Sequence, residues 1–214
     1  MKRLVKALVI VAVLAGLGFL FLRSVQGTRA APYTVAASAL EGWTLTIEPA
    51  SAPSAPLLGL RPPRELSATL FRQLFARHAE SMNGPNVPIV PLLLQDEFER
   101  SFAGQVGAEQ LLDVARGAGL DATPPGPRCM AYRRDSAPGV TRQLYFVVFE
   151  TEAFAAFRTR AAAVALASSG FDPGALSPVL LVAASDTNFN QWLPLRAVAD
   201  DCVAPISVES RQSP

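Results

Sequence analysis

The chain has 214 residues, of which 50% are apolar and 17% charged, with 19 basic against 18 acidic side chains. Globular averages are about 45–50% apolar and about 25% charged. An oily, weakly charged chain of this kind is not intrinsically disordered, and a net charge of +1 leaves no polyanion footprint, so no nucleic-acid partner is expected. The residue inventory excludes more. Lysine occurs only at Lys2 and Lys6, so nothing after residue 6 can form a Schiff base or serve as a P-loop lysine. One histidine and two cysteines fall short of the closely spaced N/S ligands of a zinc site. The motifs G-x-S-x-G, G-x-G-x-x-G and H-E-x-x-H are missing from the sequence. No cofactor and no metal are expected.

The N-terminus sets the location. Lys2, Arg3 and Lys6 precede an uncharged run over 7–22, which Arg23 closes. The 19 residues of 4–22, at about 1.5 Å each, reach about 28 Å, close to the hydrocarbon thickness of a bilayer. A signal peptide has an apolar stretch of about 7–15 residues and a small-x-small cleavage site. Val25-Gln26-Gly27 and Thr28-Arg29-Ala30 are weak versions of such a site. Residues 1–23 are therefore expected to be a cytoplasmic tip and an uncleaved transmembrane signal-anchor; secretion after cleavage is the alternative. The positive tip orients residues 24–214 outside the cytoplasm. The arginine bias and the lack of any N-x-S/T sequon fit a GC-rich bacterium, which makes the expected location the bacterial cell envelope. Expected partners are the lipid bilayer, through this helix, and an envelope protein. In that compartment Cys129 and Cys202 are expected to pair as a disulfide, because each begins or precedes a strand-like run.

Residues 24–32 read as a tether. Residues 33–40 form a weak, alanine-rich strand, and 43–48 (W-T-L-T-I-E) alternate as a half-buried strand. Five prolines over 49–64 predict an extended loop. Pro62-Pro63 then open a helix, with Leu66, Leu70, Phe71, Leu74, Phe75 and His78 at helical spacing down to about Ser81. Met82-Asn83-Gly84-Pro85 are expected to end it with a left-handed cap. Pro88 and Pro91 restrict any strand over 87–94 to a sheet edge. Short helices follow at 95–102, with Phe98 and Phe102 stacked, and at 108–118.

Residues 128–135 and 140–150 read as strands joined by a turn at Pro138-Gly139. The second is apolar on both faces from Leu144 to Phe149, and therefore central. Residues 151–168 are a helix with Thr151 as N-cap, and 178–184 (P-V-L-L-V-A-A) are a strand buried on both faces. Strand, helix and buried strand predict a right-handed β-α-β crossover. A last strand covers 203–208. The expected fold is α+β: a single extracytoplasmic domain over 33–208, with a mixed five- or six-stranded sheet and about four helices, preceded by one transmembrane helix and followed by a tail at 209–214.

Three places are candidate sites. His78 lies beside the packed face of its helix, where a lone imidazole is usually a hydrogen-bonded structural residue. A Ser-His-Asp hydrolase would have to use it, and Ser169, the one serine near a sharp turn, follows a helix rather than a strand. Asp96, Glu97 and Glu99 are paired carboxylates of the kind that acts on glycans, but their helical spacing reads as a solvated face. The segment from Ser185 to Trp192 (S-D-T-N-F-N-Q-W) leaves the end of a buried strand, where ligands commonly bind in α/β folds. Asp186, Asn188, Asn190 and Trp192 are the expected ligand- or partner-binding residues. The function expected is a membrane-anchored envelope protein of non-enzymatic binding or assembly type. The alternative is an extracytoplasmic hydrolase acting on a glycan or peptide through carboxylates. In a strain that depends on the protein, replacing Asp186, Asn188 and Trp192 together by Ala should impair growth or assembly more than His78→Gln, at equal protein levels on an immunoblot.

Overall fold

The computed structural model describes residues 13–19, 30–49, 52–78, 81–137, 140–186 and 196–209. Residues 13–19 are helical and exposed. Among the described residues no helix is long and apolar enough to cross a membrane; most of the span expected at 4–22 lies outside them.

The fold is α+β and its main sheet is mixed and five-stranded. The strands are β1 (Tyr33–Ala36), β2 (Thr44–Ile47), β3 (Pro56–Arg61), β4 (Val90–Leu94), β5 (Gly126–Ala137), β6 (Val140–Glu150), β7 (Val179–Ala184) and β8 (Cys202–Glu209). The helices are α1 (Arg64–Arg77), α2 (Gln95–Ser101), α3 (Ala108–Gly117) and α4 (Glu152–Val164). The five-stranded sheet has the order β1-β8-β5-β6-β7, and a second sheet has the order β2-β3-β4. Only β1 and β8 run parallel. The long hairpin of β5 and β6 forms the backbone of the main sheet, and β4 lies against β7, so the sheets meet along their edges. Leu144 to Phe149 are buried and interior to the sheet, as their apolar run predicts. Cys129 on β5 and Cys202 at the start of β8 are joined by a disulfide, with Cα atoms 5.7 Å apart. Closing a loop of 73 residues stabilises by about 4 kcal/mol in the chain-entropy picture.

Four expectations fail for identifiable reasons. The proline-rich 49–64 segment contains β3, the middle strand of the second sheet. Pro56 sits at the strand's first residue, where proline is tolerated, and Leu57, Leu58, Gly59 and Leu60 are buried behind it. A Cβ on Gly59 would lie 2.1 Å from Ile89 Cδ1, so the Ile89 side chain fills the space that a side chain at 59 would need. Second, β6 and β7 are antiparallel, so no crossover exists. Helix α4 leads away from the sheet and the 165–178 segment returns the chain to the same sheet end, where Phe149 N–H donates to Pro178 O at 2.9 Å. Third, α4 ends at Val164 and α1 at Arg77, each four residues short of expectation. Fourth, neither Asn83 nor Gly84 adopts positive φ; Asn83 instead exchanges both backbone hydrogen bonds with Ala184, each 2.9 Å. The turn residues Pro138 and Gly139 lie outside the described residues, although Ala137 and Val140 on either side are paired.

Helix α1 guards the edge of the main sheet. Its Gln73 amide accepts from Thr34 N–H at 3.0 Å and donates to Thr34 O at 2.6 Å, which replaces the missing strand partner. Arg77 donates to Ala31 O and Pro32 O and covers the Tyr33 ring, 3.8 Å from its centroid.

The acidic cluster on α2 is only partly a solvated face. Asp96 pairs with Arg100 and Glu99 accepts from Gln95, but Glu97 is buried and pairs with Arg158 of α4. Arg158 is fully buried. It donates to Glu97 Oε1 at 2.8 Å and Oε2 at 3.0 Å, to Leu92 O at 3.3 Å, to Asp172 O at 2.6 Å and to Pro173 O at 3.2 Å. All the N–H donors of a guanidinium are thereby used. Arg158→Met, which strands the Glu97 carboxylate, should cost about 3–5 kcal/mol in denaturant unfolding, and adding Glu97→Leu should recover most of the loss.

Candidate functional site

The two adjoining prolines Pro62 and Pro63 turn the chain from β3 into α1. Proline fixes φ and carries no N–H, which suits the first position of a helix. Pro63 is the N-cap residue, and no side chain among the described residues caps the helix; of the first-turn N–H groups, that of Leu66 donates to Pro63 O at 3.1 Å. Leu66, Leu70 and Leu74 point into the core. A second stripe, Arg64, Ser67, Ala68 and Phe71, lines a cleft of about 710 Å³.

The other walls come from three elements. Thr44 and Arg61 lie at the paired ends of β2 and β3. Residues 84–88 (G-P-N-V-P) form the facing wall, and Val182 of β7 contributes to the lining. The facing wall is held where Asn83 bridges to Ala184. Gly84 lets it approach closely, since a Cβ there would meet the Phe71 ring at 3.3 Å and Val182 O at 3.5 Å. Pro62, Pro85 and Pro88 stiffen both sides. The cleft is thus formed by rigid segments before anything enters it.

Its electrostatics are one-sided. Among the described residues Arg61 and Arg64 are the only charged residues of the lining. Arg61 donates through Nε and Nη2 to Glu48, at 2.9 and 2.7 Å, and Thr46 Oγ1 donates to the same carboxylate at 2.6 Å. Burial pushes the Glu48 carboxyl up, but the hydrogen bonds from Arg61 and Thr46 outweigh it and hold the group below its ordinary value. Arg64 is exposed and makes no ion pair among the described residues. The positive end of the α1 dipole adds to its field, offset in part by Glu65 in the first turn. Ser67 Oγ is buried without a hydrogen-bond partner among the described residues. Apolar surface continues outward from the cleft: Phe71 stacks on Phe75, which is 57% exposed, and Val87 is 50% exposed.

The sequence-predicted residues lie elsewhere. Asp186 forms an ion pair with Arg142 of β6, four positions beyond Val182 of the cleft. Asn188, Asn190 and Trp192 lie outside the described residues. His78 is half-buried and follows α1 in extended conformation rather than sitting on its packed face. Its ring lies 4.9 Å from that of Tyr145, with Nδ1 at 3.4 Å from the phenol oxygen. Ser169 Oγ donates to Leu166 O, closing its own turn. The cleft escaped sequence reasoning because its two walls, 61–71 and 84–88, read separately as a helix entry and a helix stop. The one signal for it was the second stripe on α1, Arg64, Ala68 and Phe71, which the leucine stripe does not explain.

No known protein family, curated protein or solved structure matches the chain. Glu48 supplies a test of the cleft's construction. Its lowered pKa means that its contribution is present above the unfolded value of about 4.3 and is lost as pH falls through the lower folded value. Glu48→Gln should therefore destabilise by about 1 kcal/mol at pH 7, and the difference from the parent chain should shrink in unfolding curves recorded near pH 3.

Proposed function

We propose that the chain is a membrane-tethered, extracytoplasmic binding protein of the bacterial cell envelope, with no chemical step of its own. The observation that carries the binding reading is the preformed cationic cleft at the head of α1. Stiff walls reduce the ordering cost of association, and about 710 Å³ lies within the usual range of ligand sites, about 300–1,000 Å³. Two features support the location. Lys2, Arg3 and Lys6 before an uncharged run that ends at Leu22 have the pattern of a signal-anchor, and a disulfide between Cys129 and Cys202 belongs to an oxidising compartment. Asp186, Asn188, Asn190 and Trp192 form a second contact region in this reading, because three polar side chains and a tryptophan leaving a buried strand suit a partner's surface.

The location is tested by fusing the C-terminus to a reporter active only outside the cytoplasm. Activity should appear in the membrane fraction. Activity confined to the soluble exported fraction would remove the anchor and keep the export; activity absent from both, with fusion protein present, would remove the location altogether. In chain purified without reductant and then denatured, Cys129 and Cys202 should resist alkylation until reduced.

A further inference from the structure

We propose that the cleft at the head of α1 binds a carboxylate carried on a short apolar group, with Arg64 taking the carboxylate and Phe71 and Val87, one on each wall, taking the apolar part. This assignment rests on the binding reading above and names its ligand class.

Charge selects the sign. Among the described residues the lining holds two arginines and no acid, at the positive end of a 14-residue helix. The Arg61 charge is matched by Glu48, so Arg64 supplies the positive charge that repels a cation and attracts an anion. Arg61 shows the recognition geometry already, since two of its nitrogens grip the Glu48 carboxylate. Arg64, on the opposite side of the Pro62-Pro63 turn, has the same planar fork and no carboxylate among the described residues. A monoanion fits better than a phosphate group: one uncommitted guanidinium meets one carboxylate in a two-point contact, and lysine does not occur beyond residue 6 to complete a phosphate site.

Size and wall chemistry select the rest. A cleft of about 710 Å³ is far larger than a small ion fills, since one water occupies about 30 Å³ of liquid. Phe71, Pro85, Val87, Pro88 and Val182 give it an apolar side, which an inorganic anion would leave wet and an alkyl or leucine-like group would cover. Ser67, which also lines the cleft, has a buried hydroxyl that lacks a partner among the described residues. Two sources share this chemistry: the C-terminus of a protein ending in an apolar residue, and a free short-chain fatty acid.

The test uses the full chain in lipid nanodiscs and titration calorimetry with three probes: acetyl-Ala-Leu with a free carboxylate, its C-terminal amide, and hexanoate. The free-acid peptide should bind at least about tenfold more tightly than the amide, a difference of about 1.4 kcal/mol. Arg64→Gln should remove that preference. Arg64 is exposed, so this variant should keep its unfolding midpoint, and Val87→Asp, on the opposite wall, should weaken the same peptide independently. Hexanoate binding as well as the peptide points to a free acid as the source; peptide binding alone points to a protein C-terminus; both support the proposal. Equal binding of acid and amide, an unchanged preference in Arg64→Gln, or no binding of either acid at millimolar concentration overturns it. Equal binding leaves the cleft a binding site of another ligand class, so it sinks the carboxylate assignment without sinking the binding reading.

Discussion

A guanidinium with no access to water holds the two halves of this fold together. Arg158 reaches from α4 to the carboxylate of Glu97 on α2, to the Leu92 carbonyl on β4, and to the carbonyls of Asp172 and Pro173. Taking an arginine out of water costs several kcal/mol unless each N–H finds an acceptor and the charge finds a counter-charge. Both conditions are met here, and Phe171 lies over the guanidinium at 4.4 Å. Glu97 is fixed in turn by the Leu94 N–H, which donates to it at 3.1 Å. Each element that supplies an acceptor must therefore be in place at once. This arrangement couples the second sheet, through β4 and α2, to the helix that follows β6 of the main sheet. It also fixes the return segment after α4, through the Asp172 and Pro173 carbonyls.

The cleft depends on that docking. One wall descends from β3 into α1, which belongs with the second sheet by sequence, and the other is pinned to β7 of the main sheet through Asn83. Bringing β4 against β7 sets the distance between the walls. The glycines at 59 and 84 belong to the same packing, because a Cβ at 59 would meet the Ile89 side chain and one at 84 would press on the Phe71 ring. The disulfide and the Arg133–Asp201 ion pair perform a parallel task at the other end of the main sheet, where they hold β8 and the residues before it against β5.

Element type was legible wherever local chemistry and tertiary context agreed. The leucine stripe of α1, the Phe98–Phe102 pair, the long hairpin and the doubly buried β7 are all visible as patterns in the chain. What failed was decided by distant partners. β3 carries turn-forming residues on both flanks, and only burial between β2 and β4 makes it a strand. Glu97 occupies an ordinary acidic position in a first helical turn, and nothing local says that an arginine 61 positions away will cover it. A sign did exist at the other end of that pair. Phe154, Phe157, Arg158 and Ala161 occupy one buried stripe of α4, and an arginine inside an apolar stripe demands a counter-charge. Of the site itself, only the stripe on α1 could be seen, because a cleft between segments from two sheets has no local signature.

The attachment of residues 31–33 has a mechanical meaning. Arg77 ties the Ala31 and Pro32 carbonyls to α1, and Gln73 ties Thr34 to the same helix. Tyr33 to Ala36 then pair in parallel with Ile206 to Glu209. A pull directed along β1 loads those four pairs together in shear instead of opening them one after another. Beyond them the load passes into β8, whose first residue is bonded covalently to β5. The weakest joint on this path is a bundle of hydrogen bonds strained in concert, and the next one is a covalent bond. Tension at that end is thus delivered to the core of the main sheet, and the cleft, at the far end of α1, lies off the line along which it travels.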